Sequence, residues 1–163
     1  MNNKSLPAID VYTDGSCDTQ FRIGAWVAII LHNNSRQVIS GTEVATTHNR
    51  MELVAVINAI QYIKQQINKP GNVSVFSDSQ YVTDLPQRRS RLVTSRFLSR
   101  KGTPIQNELL VKLLFDTLDL TTVRFEKVRA HQKKTTMANY NIEADLFVRK
   151  MVREKVKELT ASK

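Results

Sequence analysis

Four carboxylates, each within its own short and distinctive segment, are the residues of this chain whose types and positions could perform chemistry. They are Asp14, Glu52, Asp78 and Asp145. If the fold brought them together, their mutual repulsion at neutral pH would require cations to balance it. Ligand sets made only of oxygen suit hard ions such as Mg²⁺ and Mn²⁺. The simpler interpretation is a set of unrelated acids that cap helices or end strands.

The rest of the chain is strongly basic. Its 163 residues carry a net charge of +9, and the pI is near 9.9, which favours a polyanionic partner. A cluster of carboxylates within an otherwise basic protein is what metal-assisted cleavage of a polyanion requires. A hydrophobic fraction of 41% and a charged fraction of 24% are typical of a globular protein, so we expect one domain over residues 1–163 with its core at about 8–159.

Cysteine content and hydropathy bear on the compartment. Cys17 is the single cysteine, which excludes an internal disulfide and fits a reducing compartment. The polar start of the chain lacks the apolar core of a signal peptide. The longest apolar run, Ala25–Leu31, is far shorter than the roughly 20 residues that a membrane span needs. We therefore predict a cytoplasmic protein without a membrane partner. Separately, we expect a monomer.

Hydrophobic periodicity predicts the elements that must position these acids. Short Val- and Ile-rich runs predict five strands, at Ile9–Thr13, Gly24–Leu31, Gln37–Thr46, Val73–Ser77 and Thr121–Val128. Helical spacing predicts helices at 51–63, 79–84, 87–101, 105–118 and 141–159, with Pro70-Gly71 stopping the first and Pro86 ending or kinking the second. This order favours an α/β fold with one mixed sheet flanked by helices.

The carboxylates then have expected places on that frame. Asp14 is expected just past the first strand, where Gly15 can bend the chain away, and Asp78 just past the fourth. If those two strands are parallel, both acids emerge at the same edge of the sheet. Glu52 is expected in the first turn of its helix, and Asp145 one turn into the last helix. All four can therefore meet at one end of the sheet.

The segments around these acids resemble those of a known family. Tyr12–Cys17, Thr46–Leu53, Ser77–Val82 and Asn141–Asp145 closely resemble the four active-site motifs of ribonuclease H, type 1, and His131 resembles that family's loop histidine. The resemblance runs from about Ile9 to Val152, in the family's order and with similar spacing. It implies a ribonuclease H-like fold, with a five-stranded mixed sheet and helices on both faces. Since the chain begins only a few residues before the first predicted strand, we expect no separate hybrid-binding domain.

The resemblance also implies an activity. Members of this family cut the RNA strand of RNA–DNA hybrids with two divalent ions and leave 5′-phosphate and 3′-hydroxyl ends. By this resemblance Asp14 would bridge two Mg²⁺ ions, Asp145 would complete one site, and Glu52 with Asp78 would complete the other. Mn²⁺ could substitute. His131 would shuttle a proton or help to release product.

Further residues match the family's nucleic-acid contacts. Cys17, Thr47, Asn49 and Gln80 match positions near the cleavage site, although Thr47 and Asn49 could equally cap a helix. His48 stands where an asparagine is common. The segment between Leu85 and Asn107 contains no acid and resembles the family's basic protrusion, and a solvated helix is the alternative. From it we predict substrate contacts by Arg88, Arg89 and Arg91.

The sequence thus predicts a metal-dependent endoribonuclease acting on RNA–DNA hybrids. Three alternatives stay open at this point: a ribonuclease H domain derived from a retroelement, a DNA-cutting nuclease of the resolvase type, and a non-catalytic nucleic-acid-binding module. The context of Glu52 and Asp78 argues against the resolvase type. An intact acidic cluster argues against the module, because unused carboxylates would weaken phosphate binding.

Overall fold

The computed structural model of the chain describes residues 6–129 and 139–161. The strands in these ranges are β1 (Ile9–Asp18), β2 (Ile23–His32), β3 (Ser35–Val44), β4 (Val73–Ser77) and β5 (Val123–Lys127). The helices are α1 (His48–Gln66), α2 (Gln80–Thr83), α3 (Leu85–Thr94), α4 (Glu108–Leu118) and α5 (Tyr140–Thr160). No helix in the described ranges is long and apolar enough to cross a membrane.

The strands form one five-stranded sheet in the order β3-β2-β1-β4-β5. β1, β2 and β3 make an antiparallel meander, and β4 pairs in parallel with both β1 and β5. The mixed sheet predicted from the sequence is confirmed. The parallel pairing of β1 with β4 makes both strands run in the same direction, so Asp14 on β1 and Asp78 just after β4 lie toward the same end of the sheet.

Helices cover both faces of the sheet, because alternate residues of each strand point to opposite sides. In β2, Ala28 and Ile30 pack in a core with α1, α3 and α4, whereas Val27 and Ile29 pack in a second core with α5. The α/β architecture with helices on both faces is thereby confirmed.

The first strand is longer than the sequence pattern predicted. β1 continues through Asp14 and Gly15 to Asp18, because its antiparallel pairing with β2 extends to Asp18 opposite Ile23. Its parallel pairing with β4 stops at Tyr12. Asp14 therefore lies inside a strand, just beyond the part that β4 covers, and Gly15 does not bend the chain away.

Gly15 instead lets a helix approach the strand. A Cβ atom at this position would lie 2.4 Å from the backbone nitrogen of Glu52 and 2.5 Å from the carbonyl carbon of Met51. These are backbone atoms, which cannot move aside as a flexible side chain can. The absent side chain thus sets how closely α1 packs on β1, and with it the separation of Asp14 from Glu52.

Several helix boundaries also differ from the prediction. α3 ends at Thr94 rather than near residue 101, and α4 begins at Glu108 rather than at residue 105. Pro86 lies in the first turn of α3, where a missing N–H is tolerated, so it begins that helix and α2 has already ended at Thr83. Glu52 lies one turn later in its helix than expected, because α1 begins at His48 behind the cap of Thr47.

Candidate active site

Three of the four predicted carboxylates meet at one end of the sheet, beside its central strands β1 and β4. Asp14 comes from the middle of β1, Glu52 from the second turn of α1, and Asp78 directly follows β4. One carboxylate oxygen from each of these residues lies within 4.8 Å of the other two. Strand pairing and the close approach of α1 at Gly15 bring together residues that are distant in the sequence.

Asp145 faces the same space from α5. It lines a cleft with Asp14, Glu52 and Asp78, and it also lines an adjoining cleft with Asp14 and Asp78. Its Oδ1 atom lies 2.9 Å from Nε of Arg149, one turn further along the helix. The fourth carboxylate therefore borders the cluster of three and is paired with Arg149, which lines the same cleft.

Asp14 is buried, and its environment opposes ionisation. Only 7% of the residue is exposed, and burial is the largest cause that raises its pKa, to about 9. The nearby Glu52 and Asp78 raise this pKa further, and Asp145 adds to it. One hydrogen bond acts in the other direction, from the Gly15 N–H to Oδ1 of Asp14 at 2.8 Å. Without a cation, Asp14 therefore retains its proton at neutral pH.

Glu52 is more deeply buried still, at 1% exposed. Burial raises its pKa, and a bond from His48 partly offsets that effect. The Nε2 atom of His48 lies 3.1 Å from Oε1 of Glu52, and this bond is the main cause that raises the pKa of the histidine. The motif comparison alone did not reveal the contact, although the spacing of four residues on a helix could have suggested it.

The second oxygen of Glu52 bears on which ligand the site fits. Oε2 is buried and receives no hydrogen bond from any donor in the described residues. A proton shared with Asp14, or a cation, would satisfy it. An all-oxygen donor set with an unsatisfied buried carboxylate oxygen fits a hard divalent ion. The residues present therefore match the metal that the sequence pattern predicted.

Comparison with known proteins agrees with this geometry. A family model described as RNase H matches residues 7–153. The ribonuclease H of Chlorobium phaeovibrioides is 32% identical over 149 residues, which are 90% of this chain and 97% of the relative. The ribonuclease H of Chlorobaculum parvum is 31% identical over 148 residues, or 90% and 96% of the two chains. The chain belongs to the ribonuclease H family.

A solved structure supports the fold. The crystal structure of LC9-RNase H1, described as a type 1 RNase H with the type 2 active-site motif, superposes with a TM-score of 0.75 at 24% identity, over 91% of this chain and 74% of that one. Ribonucleases H are endonucleases that hydrolyse phosphodiester bonds, so the prediction of an enzyme is confirmed. The family generally uses divalent metal ions, and its members act on RNA–DNA hybrids.

The residues matched to the ribonuclease H substrate contacts lie on elements that adjoin the cluster. Thr47 caps α1, and its hydroxyl accepts a hydrogen bond from the Arg50 N–H at 3.2 Å. Asn49 lies in the first turn of the same helix. The Sγ atom of Cys17, near the end of β1, lies 3.6 Å from the Thr46 carbonyl oxygen. The side-chain oxygen of Gln80, at the start of α2, lies 3.4 Å from Nζ of Lys127.

The three predicted arginine contacts differ in their surroundings. Arg89 makes a bidentate ion pair with Asp119, at 2.6 and 2.8 Å, and its guanidinium lies 5.2 Å from the centre of the Phe115 ring. These contacts tie α3 to α4. Arg88 and Arg91 line a surface groove together with Arg100. Of the three, Arg89 is the one that the scaffold already engages.

His131, the predicted loop histidine, lies outside the described residues. The described part before it ends at Arg129, which lines the cleft with Asp14, Asp78 and Asp145. A basic residue therefore borders the carboxylates on the side from which the segment of His131 departs.

Proposed function

We propose that this protein hydrolyses the RNA strand of RNA–DNA hybrids endonucleolytically and leaves 5′-phosphate and 3′-hydroxyl ends. The observation that carries the proposal is the cluster of Asp14, Glu52 and Asp78, two of them buried, with one oxygen of Glu52 unsatisfied. Such a cluster is unfavourable without metal and favourable with it. Membership of the ribonuclease H family supports the choice of reaction.

Two Mg²⁺ ions are the cofactor that we propose, and Mn²⁺ can replace them. Asp14 would help to hold both ions, together with Glu52 and Asp78 for one of them and with Asp145 for the other. Ions held there would activate the attacking water and stabilise the leaving 3′ oxygen.

The chain's own contribution is rigid positioning. Close packing at Gly15 fixes Glu52 against Asp14, and His48 holds one oxygen of Glu52 so that the other remains for a ligand. Holding the carboxylates in place before substrate arrives removes the reorganisation that free side chains would need. His131 would move a proton at the cleavage site or assist the departure of product.

The surroundings of the cluster suit a polyanion. Cys17, Thr47, Asn49 and Gln80 would contact the strands near the cleavage site, and Arg88, Arg89 and Arg91 would contact a phosphate backbone along α3. Since Asp119 already neutralises Arg89, Arg88 and Arg91 should contribute more to binding. A net charge of +9 attracts the substrate over a longer range.

Labelled RNA–DNA hybrid, RNA duplex and DNA duplex, each with Mg²⁺, Mn²⁺ or EDTA, test the proposal. We expect cleavage of the hybrid alone, with either metal, and RNA products that carry 5′-phosphates. Cleavage of the DNA duplex would instead indicate a DNA-cutting nuclease. Tight binding of hybrid without cleavage would indicate a non-catalytic module.

A further inference from the structure

Helix α5 carries its charges in an asymmetric arrangement. Ala144, Val148 and Val152 face the sheet. Successive residues turn by about 100° around a helix axis, so Arg149 and Arg153 follow Asp145 on one flank, and Lys157 continues the row onto the outer surface. Viewed down the same axis, Glu143, Glu154 and Glu158 fall on the other flank. We call Arg149, Arg153 and Lys157 the α5 basic track.

The α5 basic track begins at the catalytic cleft. Arg149 lines the cleft with the carboxylates and pairs with Asp145. Each four-residue step along the helix then advances about 6 Å. The phosphates of one strand are spaced by about 3.4 Å along a duplex axis, so successive side chains of the track would lie about two nucleotides apart along a backbone parallel to the helix.

The distal part of the α5 basic track lacks a protein partner. Arg153 and Lys157 are exposed and make no ion pair with a carboxylate in the part of the chain that the structure describes. Two lysines of the same helix behave differently, since Lys150 pairs with Glu154 at 3.8 Å and Lys155 with Glu158 at 3.0 Å. Paired charges of that kind are typical of a solvated helix, and the track departs from that pattern.

The two basic surfaces of the molecule lie on opposite sides of the sheet. Leu85 and Leu92 of α3 pack in the core of the α1 face, whereas α5 packs on the other face. The carboxylate cluster lies at the end of the central strands β1 and β4, between these two faces. A duplex that crosses the cleft can therefore be held by α3 on one side and by α5 on the other.

We propose that the α5 basic track binds the phosphate backbone of the nucleic-acid substrate beyond the cleavage site, on the side of the sheet opposite to α3. This inference rests on the proposed function, because it assumes that a hybrid occupies the cleft. It adds a second binding surface, in which no carboxylate of residues 6–129 or 139–161 neutralises Arg153 or Lys157.

A matched pair of double variants tests the track. The test variant is Arg153→Ala with Lys157→Ala, and the control is Lys150→Ala with Lys155→Ala, which removes the same charge from the same helix at paired positions. Binding of a labelled hybrid is measured with Mg²⁺ over a series of salt concentrations, and an Asp14→Asn background prevents cleavage. The slope of log affinity against log salt should fall by about two for the test variant. The control slope should change by less than about half of that.

Kinetics in the active protein provide a second readout. The test variant should raise KM several-fold and leave kcat unchanged, because its residues lie away from the carboxylates. A test variant whose slope and KM equal those of the control would overturn the proposed track. Failure of the wild type to cleave hybrid would refute the proposed function instead, and the comparison of binding slopes would still decide whether the track binds nucleic acid.

Discussion

The four carboxylates of the site fall into two pairs with different surroundings. Asp14 and Glu52 are buried between β1 and α1, whereas Asp78 and Asp145 lie half-exposed beside the cleft. The backbone packing at Gly15 fixes the buried pair. Burial makes ionisation of these two carboxylates more costly than ionisation of the half-exposed pair. The half-exposed pair lines the two adjoining clefts together with Asp14. The comparison teaches that the buried pair sets the geometry and the electrostatic strain of the site.

The largest expected effect is on activity, where the two pairs should behave alike. Asp14→Asn and Asp78→Asn should each lower hybrid cleavage by at least about 10³-fold, because either change removes a carboxylate that we propose as a metal ligand, and transition-state stabilisation by metal contributes several kcal/mol. Single-turnover cleavage with Mg²⁺ measures this loss. Asp116→Asn, at an exposed position on α4, is the control and should keep wild-type activity. Activity near that of the wild type in either site variant would refute the metal assignment.

A smaller loss of activity is expected from a residue that belongs to neither pair. His131→Ala should lower kcat by about 10- to 100-fold, less than the 10²- to 10⁴-fold effect of a full general base, because the metals supply the charge stabilisation. KM and the thermal melting temperature should hardly change, in contrast to the carboxylate variants. An unchanged kcat would reject the role, and complete inactivity would show that the histidine is essential.

Stability should separate the two pairs. In EDTA, Asp14 of the folded protein stays protonated until the pH reaches its pKa of about 9. In the unfolded chain the same carboxyl group loses its proton near pH 3.8. The folded state thus binds more protons between these values, and its stability falls as the pH rises through this window, by up to about 1.4 kcal/mol per pH unit. Asp14→Asn removes this dependence and stabilises the protein at neutral pH. Denaturant unfolding at several pH values measures both effects.

The half-exposed pair provides the control for that experiment. Asp145→Asn makes the same chemical change at a side chain that is 25% exposed and paired with Arg149, so its gain in stability should be smaller. If Asp14→Asn and Asp145→Asn stabilise the metal-free protein equally, burial does not distinguish the two pairs, and our comparison fails.

The smallest effect concerns the support of the buried pair. His48→Ala removes the hydrogen bond to Oε1 of Glu52 and leaves a buried carboxylate without a donor, which should destabilise the metal-free protein by about 1 to 3 kcal/mol. Saturating Mg²⁺ should reduce the difference, since the ion supplies the missing partner. His32→Ala, at the end of β2, is the matched control. Equal destabilisation by both variants would show that His48 does not support Glu52.

Local sequence patterns determined much of the fold and of the candidate site. The apolar spacing of α1 and the short runs of β2 and β4 predicted those elements, because each pattern reflects burial of one face or of a whole strand. The motif segments identified the residues Asp14, Glu52, Asp78 and Asp145. Of these, the structure brings Asp14, Glu52 and Asp78 into one cluster and sets Asp145 at its border. The types of these residues and the order of their motifs along the chain were sufficient for these conclusions.

Other features depended on contacts between residues that are far apart in the chain. The sequence by itself did not show that β1 continues through Asp14, because pairing with β2 decides where that strand ends. Nor did it show that Gly15 serves the approach of α1, or that Asp119 engages Arg89 across 30 positions. Burial of Asp14 and Glu52, and hence their raised pKa values, likewise follows from packing. Residue types are local information, whereas distance, desolvation and pairing arise only when the chain is folded.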